Sequence, residues 1–242
     1  MDSFIVYDLE TTGIDPLKNE IIEIGALKVC KGVVVDTFSC FINPHIPLPR
    51  EIVALTGITQ SMVEGGLEKR EAIQGFLDFA SEDTVLGHNI SFDYKFMKAA
   101  ADSLFLPFEK KTMDTLKIAR KHLKDLPDRK LGTLCSHYGY VNEHAHRALD
   151  DAMATYHVYE KMKEAFFEAD PESFVPQAMK IAAMKEKKVE PMTLKQKKYL
   201  SDLVSYHRLK LEINVENLSK SEASKLIDSI ILHHGKIFQR RF

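Results

Sequence analysis

The chain has 242 residues, 45% of them apolar and 9% aromatic, with a formal net charge of −2. This composition supports one good hydrophobic core with a small annex and excludes general disorder. No run of about eighteen apolar residues and no basic-then-apolar leader occurs, so a soluble, cytoplasmic protein without a membrane partner is expected. The three cysteines, Cys30, Cys40 and Cys135, are far apart and form no CxxC, which argues against a disulfide scaffold or a zinc knuckle. Charge is unevenly spread. Residues 1–165 carry 25 acidic and 19 basic side chains, whereas residues 180–242 carry 7 acidic and 14 basic, so the tail is the part that attracts a polyanion.

In chain order, 4–8, 21–29 and 33–42 are rich in β-branched and aromatic residues, with Lys31-Gly32 between the last two. They read as three strands ending in a hairpin. The proline-rich stretch 43–60 reads as irregular with at most one short helix. Leu67, Ile73, Phe76, Leu77 and Ala80 form a helical stripe over 67–80. A short strand at 84–89 stops at Gly87, and a helix over 91–102 follows with Ser91 as its expected cap. Further helices fit 113–123, 130–138 and 150–164. Strands interrupted and followed by helices indicate an α/β layer fold in a domain over 1–165. Prolines 171, 176 and 191 around the run KEKK (185–188) mark 166–192 as a linker. Thr193 with Gln196, and Ser219 with Glu222, match the capping-box pattern, so 193–242 reads as a small basic helical domain.

The stretch FIVYDLETTG (4–13) ends an apolar strand with Asp8 and Glu10. Side chains two apart on a strand share a face, so the two carboxylates can converge. Like charges held together in a partly buried place need a counter-ion. Two more acidic residues stand where elements begin: Asp93 in HNISFDYKF (88–96) and Asp151 in HRALDDAMATYHVYE (146–160). An acid in a first helical turn is ordinary, because the helix dipole favours it. A set of acids all at element ends is not, since crevices outside strand ends are where α/β sheets bind ligands. His146 stands five residues before Asp151, on the loop leading into that helix, and a histidine is the side chain suited to take a proton near neutral pH.

DLETTG at 8–13, HNISFD at 88–93 and HRALDDA at 146–152, in this order, resemble the three motifs of the DEDD exonuclease superfamily. The closest branch is the histidine-containing one, which includes proofreading subunits of bacterial replicative polymerases. Each motif alone is weak, and three in order are strong. The resemblance covers about residues 1–165. At LTGIT (55–59) Thr56 stands where many relatives have a histidine, outside the catalytic set. The resemblance implies a ribonuclease-H-like fold with a mixed five-stranded sheet whose third strand is antiparallel. It also implies Asp8, Glu10, Asp93 and Asp151 as ligands of two divalent cations, Mg²⁺ or Mn²⁺, and His146 as the base. Oxygen-only ligands suit such hard cations. The activity it implies is 3′–5′ hydrolysis of nucleic acid with release of nucleoside 5′-monophosphates. The expected partners are single-stranded or frayed 3′ ends, with a DNA polymerase or another replication or repair protein as a candidate.

Thr11, Thr12, Asn89 and Phe92 are candidate substrate-binding residues. Leu9, Ile14 and Phe96 are further apolar surfaces for an unpaired base, set against plain core packing. The basic run KQKK (195–198) and the terminal QRRF are candidates for holding a strand or docking a protein. Single-stranded DNA is the expected substrate. An RNA-trimming enzyme of the same fold and a non-catalytic nucleic-acid-binding scaffold are the alternatives. The scaffold has no physical need to bear the repulsion of four converging carboxylates.

Overall fold

The computed structural model describes residues 3–179, 191–209 and 218–236. The chain forms two compact units, Met1–Ala182 and Ala183–Phe242. The first opens with three strands in a meander, β1 (Ser3–Thr11), β2 (Ile21–Cys30) and β3 (Val33–Phe41). Short helices α1 (Arg50–Thr56) and α2 (Gln60–Glu64) precede α3 (Lys69–Ala80). Then come β4 (Thr84–Gly87), α4 (Ser91–Ser103), β5 (Lys111–Asp114), α5 (Thr115–His122), α6 (Leu131–His137), α7 (Ala148–Phe166) and β6 (Gln177–Ala178). The sheet order is β3-β2-β1-β4-β5-β6. β2 is antiparallel to both β1 and β3, and β4 is parallel to both β1 and β5.

The mixed α/β architecture expected from the sequence is present, with differences of detail. The sheet has a sixth, two-residue strand, antiparallel to β5, and within the first five it is the second strand, not the third, that runs against its neighbours. β5 was not expected: Met113 and Asp114 belong to a strand whose four residues, KTMD, are too few to show an alternation, and the helix starts only at Thr115. The stretch 43–60 holds the whole of α1 and the first residue of α2. Thr56 closes α1 by donating its hydroxyl to the Ile52 carbonyl (2.9 Å) and accepting from the Ile58 amide (3.0 Å). Ser91 is the first residue of α4, not its cap; that position is held by Ile90, with no side-chain cap. Part of the stretch read as a linker is packed: Phe174 is buried, and Gln177–Ala178 pair with β5. KEKK (185–188) and QRRF lie outside the described residues.

Strand alternation sorts β1 into two faces. Ile5, Tyr7 and Leu9 join a core with Phe76 of α3 and Tyr94 and Phe96 of α4. Phe4 and Val6 join a second core with Ile118 of α5, Leu134 of α6 and Val158, Tyr159 and Met162 of α7. Burial of each such large side chain contributes roughly 1.5–3 kcal/mol. By the same alternation Asp8 and Glu10 continue the Phe4–Val6 face, toward α7. Core packing on both sides therefore fixes which way the two carboxylates look.

The second unit contains α8 (Leu194–Tyr206) and α9 (Lys220–His234). Both capping boxes are formed: Thr193 Oγ1 accepts from the Gln196 amide and Ser219 Oγ accepts from the Glu222 amide, each at 3.2 Å. Leu200 and Leu203 pack with Ile227 and Ile230 in a small core of their own. No helix among the described residues is long and apolar enough to cross a membrane.

Candidate active site

β1 and β4 run parallel as far as Val6 and Leu86. β1 then continues five residues past this pair while β4 stops after one more, at Gly87. The result is a crevice beyond the end of β4, with Asp8 and Glu10 along its edge. α4 begins there and places Asp93, which is 4% exposed, in its first turn. The Leu9 amide donates to Asp93 Oδ1 at 3.2 Å, tying helix start to strand exit.

Asp151 arrives from the other side, in the first turn of α7. The approach requires Gly25, the register partner of Asp8 on β2: a Cβ there would lie 2.1 Å from the Leu149 nitrogen. Only a residue without a side chain lets the first turn of α7 rest directly on the sheet beside Asp8. Glu23, the partner of Glu10 and 1% exposed, fastens the same turn. Its carboxylate accepts from the Arg147 guanidinium at 2.9 Å and from the Ala148 amide at 3.1 Å, and Arg147 also lies over the Phe41 ring at 5.2 Å. Asp151 itself accepts from Asn142 Nδ2 (2.6 Å) and from the backbone N–H of His146 (2.9 Å). His146 is exposed and adopts φ 68°, the left-handed region, so that its amide turns toward the carboxylate.

Glu10, His146 and Asp151 each offer a ligand atom within 4.8 Å of the other two. Asp8 and Asp93 are not members of that trio, but they line the same cleft of about 1410 Å³. Burial, then the charges of Asp93 and Asp151, hold the Asp8 carboxyl well above the usual range. Burial, then Asp151 and Glu23, push Glu10 up to about 8 against the opposing pull of Arg147. Burial raises Asp93 although its own and the Leu9 amide hydrogen bonds act the other way. Carboxylates that repel one another at the end of a sheet, with an imidazole alongside, are the donor set of a hard divalent cation, and the residues fit one.

Among the other expected contacts, Asn89 and Phe92 line the cleft. Asn89 sits at φ 60°, its amide donating to Asp114 Oδ1 at 3.0 Å. Leu9 lines the cleft from the core, Phe96 is 2% exposed inside the core, and Ile14 is 87% exposed. Thr11 and Thr12 do not line the cleft. The Thr11 hydroxyl donates to the Gly13 carbonyl (2.6 Å), and Thr12 Oγ1 accepts from the Glu20 amide (2.9 Å), so both shape the turn after β1. Asn142, Glu23 and Arg147 were not picked out from the sequence. A lone glutamate inside the apolar run IIEIGALKV was the available signal for Glu23.

A family model described as exonuclease matches residues 5–159. A PolC-type DNA polymerase III of Caldanaerobacter subterraneus subsp. tengcongensis is 42% identical over 161 residues, covering 66% of this chain and 12% of that protein. The chain thus spans about an eighth of the length of that relative. Among solved structures, the zinc-bound form of an E. coli ExoI–single-stranded DNA complex aligns with a TM-score of 0.64 at 19% identity, over 72% of this chain and 42% of that one. The nuclease domain of 3′hExo, a DEDDh family member bound to rAMP, aligns with a TM-score of 0.62 at 22% identity, over 75% of this chain and 98% of that one. The two structures share the fold, and the family match spans the strand carrying Asp8 and Glu10 as well as the helices carrying Asp93 and Asp151: the chain belongs to the exonuclease family.

Proposed function

We propose that the protein hydrolyses the terminal phosphodiester at the 3′ end of single-stranded DNA and releases a nucleoside 5′-monophosphate. The observation that carries this reading is the meeting of Asp8, Glu10, Asp93, Asp151 and His146 at one crevice, with three of them within 4.8 Å of one another. Asp8, Glu10, Asp93 and Asp151 are the residues that would hold two divalent cations, Mg²⁺ or Mn²⁺. When bound, such cations stabilise charge on the phosphoryl oxygens and on the attacking and leaving oxygens. His146 takes a proton from the attacking water through an imidazole nitrogen, the water oxygen bonds to phosphorus, and the bond to the 3′ oxygen breaks with its electron pair going to that oxygen, which takes a proton from solvent to become the 3′-hydroxyl of the shortened strand. Asp151 positions His146 through the backbone amide, and Asn142 holds Asp151 in turn. Phe92 offers a ring at the cleft for the terminal base, and exposed Ile14 offers an apolar edge after β1.

DNA as substrate is supported by the polymerase relative and by the ExoI complex with single-stranded DNA. A second reading, trimming of RNA 3′ ends, is supported by the 3′hExo domain bound to rAMP. The domain assignment belongs to the same proposal: an exonuclease domain over 1–165, a connecting stretch, and a basic helical domain over 193–242. The positive balance of the last attracts a nucleic-acid strand, and a replication or repair protein is the candidate partner.

The test is degradation of 3′- and 5′-labelled single strands, as DNA and as RNA, with Mg²⁺, with chelator, and with Asp8→Ala. Cation-dependent loss of the 3′ label as mononucleotide, absent in the variant, is expected, and the relative rates rank DNA against RNA. Binding without turnover in both proteins would replace this reading with the scaffold.

A further inference from the structure

The cleft is larger than one scissile linkage needs: about 1410 Å³, against the roughly 300–1,000 Å³ typical of small-molecule sites. Its acidic floor lies at β1, and the opposite wall is built from α5, the loop after it and α6. That wall is cationic, and its cations are used in different ways. α5 ends in Arg120, Lys121 and His122. Basic residues at a helix C-terminus are favoured by the dipole alone. Lys121 and His122, however, both turn to Asp170, at 2.5 and 2.8 Å, while Arg120 is exposed, lines the cleft and has no carboxylate within ion-pairing distance among the described residues. Arg129 also lines the cleft, but its guanidinium donates to the Leu123 and Lys124 carbonyls and fastens the loop. Lys130, at the start of α6, is 83% exposed, and its one ion-pair partner among the described residues, Asp128, is 3.9 Å away.

The sheet order sets the scale. β5, which leads into α5, is two strands from β1, about 10 Å across the sheet. A stacked strand rises about 3.4 Å per nucleotide, so a strand with its end on the floor must run several nucleotides to reach that wall.

Resting on the proposed exonuclease reading, we propose that Arg120 and Lys130 form a cationic track for phosphates upstream of the scissile bond. The substrate class is then a single strand several nucleotides long, with its 3′ end on the acidic floor and its 5′ side leaving past α5 and α6. Dinucleotides reach the floor but not the track.

The full chain, Arg120→Glu, Lys130→Glu and the control Arg120→Lys are compared on an oligodeoxynucleotide of about 20 residues and on a dinucleotide. Binding of the labelled oligonucleotide is measured separately in chelator over a range of salt. The expected result is a KM for the long strand raised about tenfold by either charge reversal, with kcat changed much less, and a loss on the dinucleotide several-fold smaller. The slope of log affinity against log salt falls by at least about 0.7 per reversed residue, and Arg120→Lys retains most of the binding. Equal losses on both substrates with an unchanged salt slope, or no change at all, would overturn the track. Wild-type protein that turns over neither substrate would instead sink the exonuclease reading, and the salt slope in chelator would still decide whether the track exists.

Discussion

Asp8 and Asp93 stand on the ends of β1 and α4, with packed cores on both faces of the strand and an amide hydrogen bond from Leu9 joining the two elements. His146 stands on an exposed turn at φ 68°, where its backbone amide donates to Asp151. The acidic floor rests on the sheet and the helices packed on it, whereas the turn bearing His146 is tied by its backbone amide to one carboxylate at the start of α7. A floor must keep like charges together against repulsion and therefore needs rigid support. The base role proposed for His146 needs proton exchange with water, and an exposed turn permits that.

The largest effect that would break this contrast comes from the floor. Asp8→Ala is expected to abolish release of a 3′ label while leaving the metal-free protein as stable as wild type or more so, because it removes a carboxyl that burial and Asp93 hold well above its usual range. Activity surviving in that variant would remove the floor from the chemistry. His146→Ala is expected to lower turnover by about 10²–10⁴-fold and to move the unfolding free energy by no more than about 0.5 kcal/mol, as for other exposed sites. A large loss of stability would show that the turn supports the fold.

Gly25→Ala probes the joint between floor and base. Its Cβ would overlap the first turn of α7, so a loss of about 1–3 kcal/mol by denaturant titration is expected, together with reduced activity as Asp151 is displaced. Gly132→Ala in α6, which would meet no atom within 4 Å, is the control and is expected to be neutral or stabilising by up to about 1 kcal/mol.

A further test of the floor is in pH. Glu10 is raised to about 8, chiefly by burial and then by Asp151 and Glu23. An acid whose folded pKa lies above its unfolded value of about 4.3 favours the fold below that value, and the contribution is lost as pH rises toward 8. The melting temperature of the metal-free protein is therefore expected to fall between pH 5 and 8.5 in the range set by Glu10, and the increase on adding Mg²⁺ to be larger at the alkaline end. A Mg²⁺ effect independent of pH would show that Glu10 does not meet the cation.

The acidic residues were legible because each belongs to a short local pattern at the end of an element. DLE lies near the end of a strand, Asp93 and Asp151 open helices, and the set was picked out by the resemblance that the three motifs carry in this order. The capping boxes at Thr193 and Ser219 were legible for the same reason, since cap and partner are three residues apart. β5 was missed because four residues show no period, and the sheet position of Gln177–Ala178 because a two-residue strand has none. The hydroxyls of Thr11 and Thr12, candidate substrate contacts through their backbone N–H groups, bond to neighbours two and eight residues away, and the turn that brings those neighbours close is not written in either threonine.

By itself the sequence determined the identities and order of the chemical groups, the faces of β1 and the ends of most helices, because these depend on interactions spanning a few residues. Only the tertiary structure decided that Gly25 admits α7, that Glu23 holds Arg147 across 124 residues, that Asn142 steadies Asp151, and that Arg120 faces the cleft while Lys121 and His122 turn to Asp170. Each of these depends on how separate elements pack together, and packing between distant segments leaves no periodic trace in the chain.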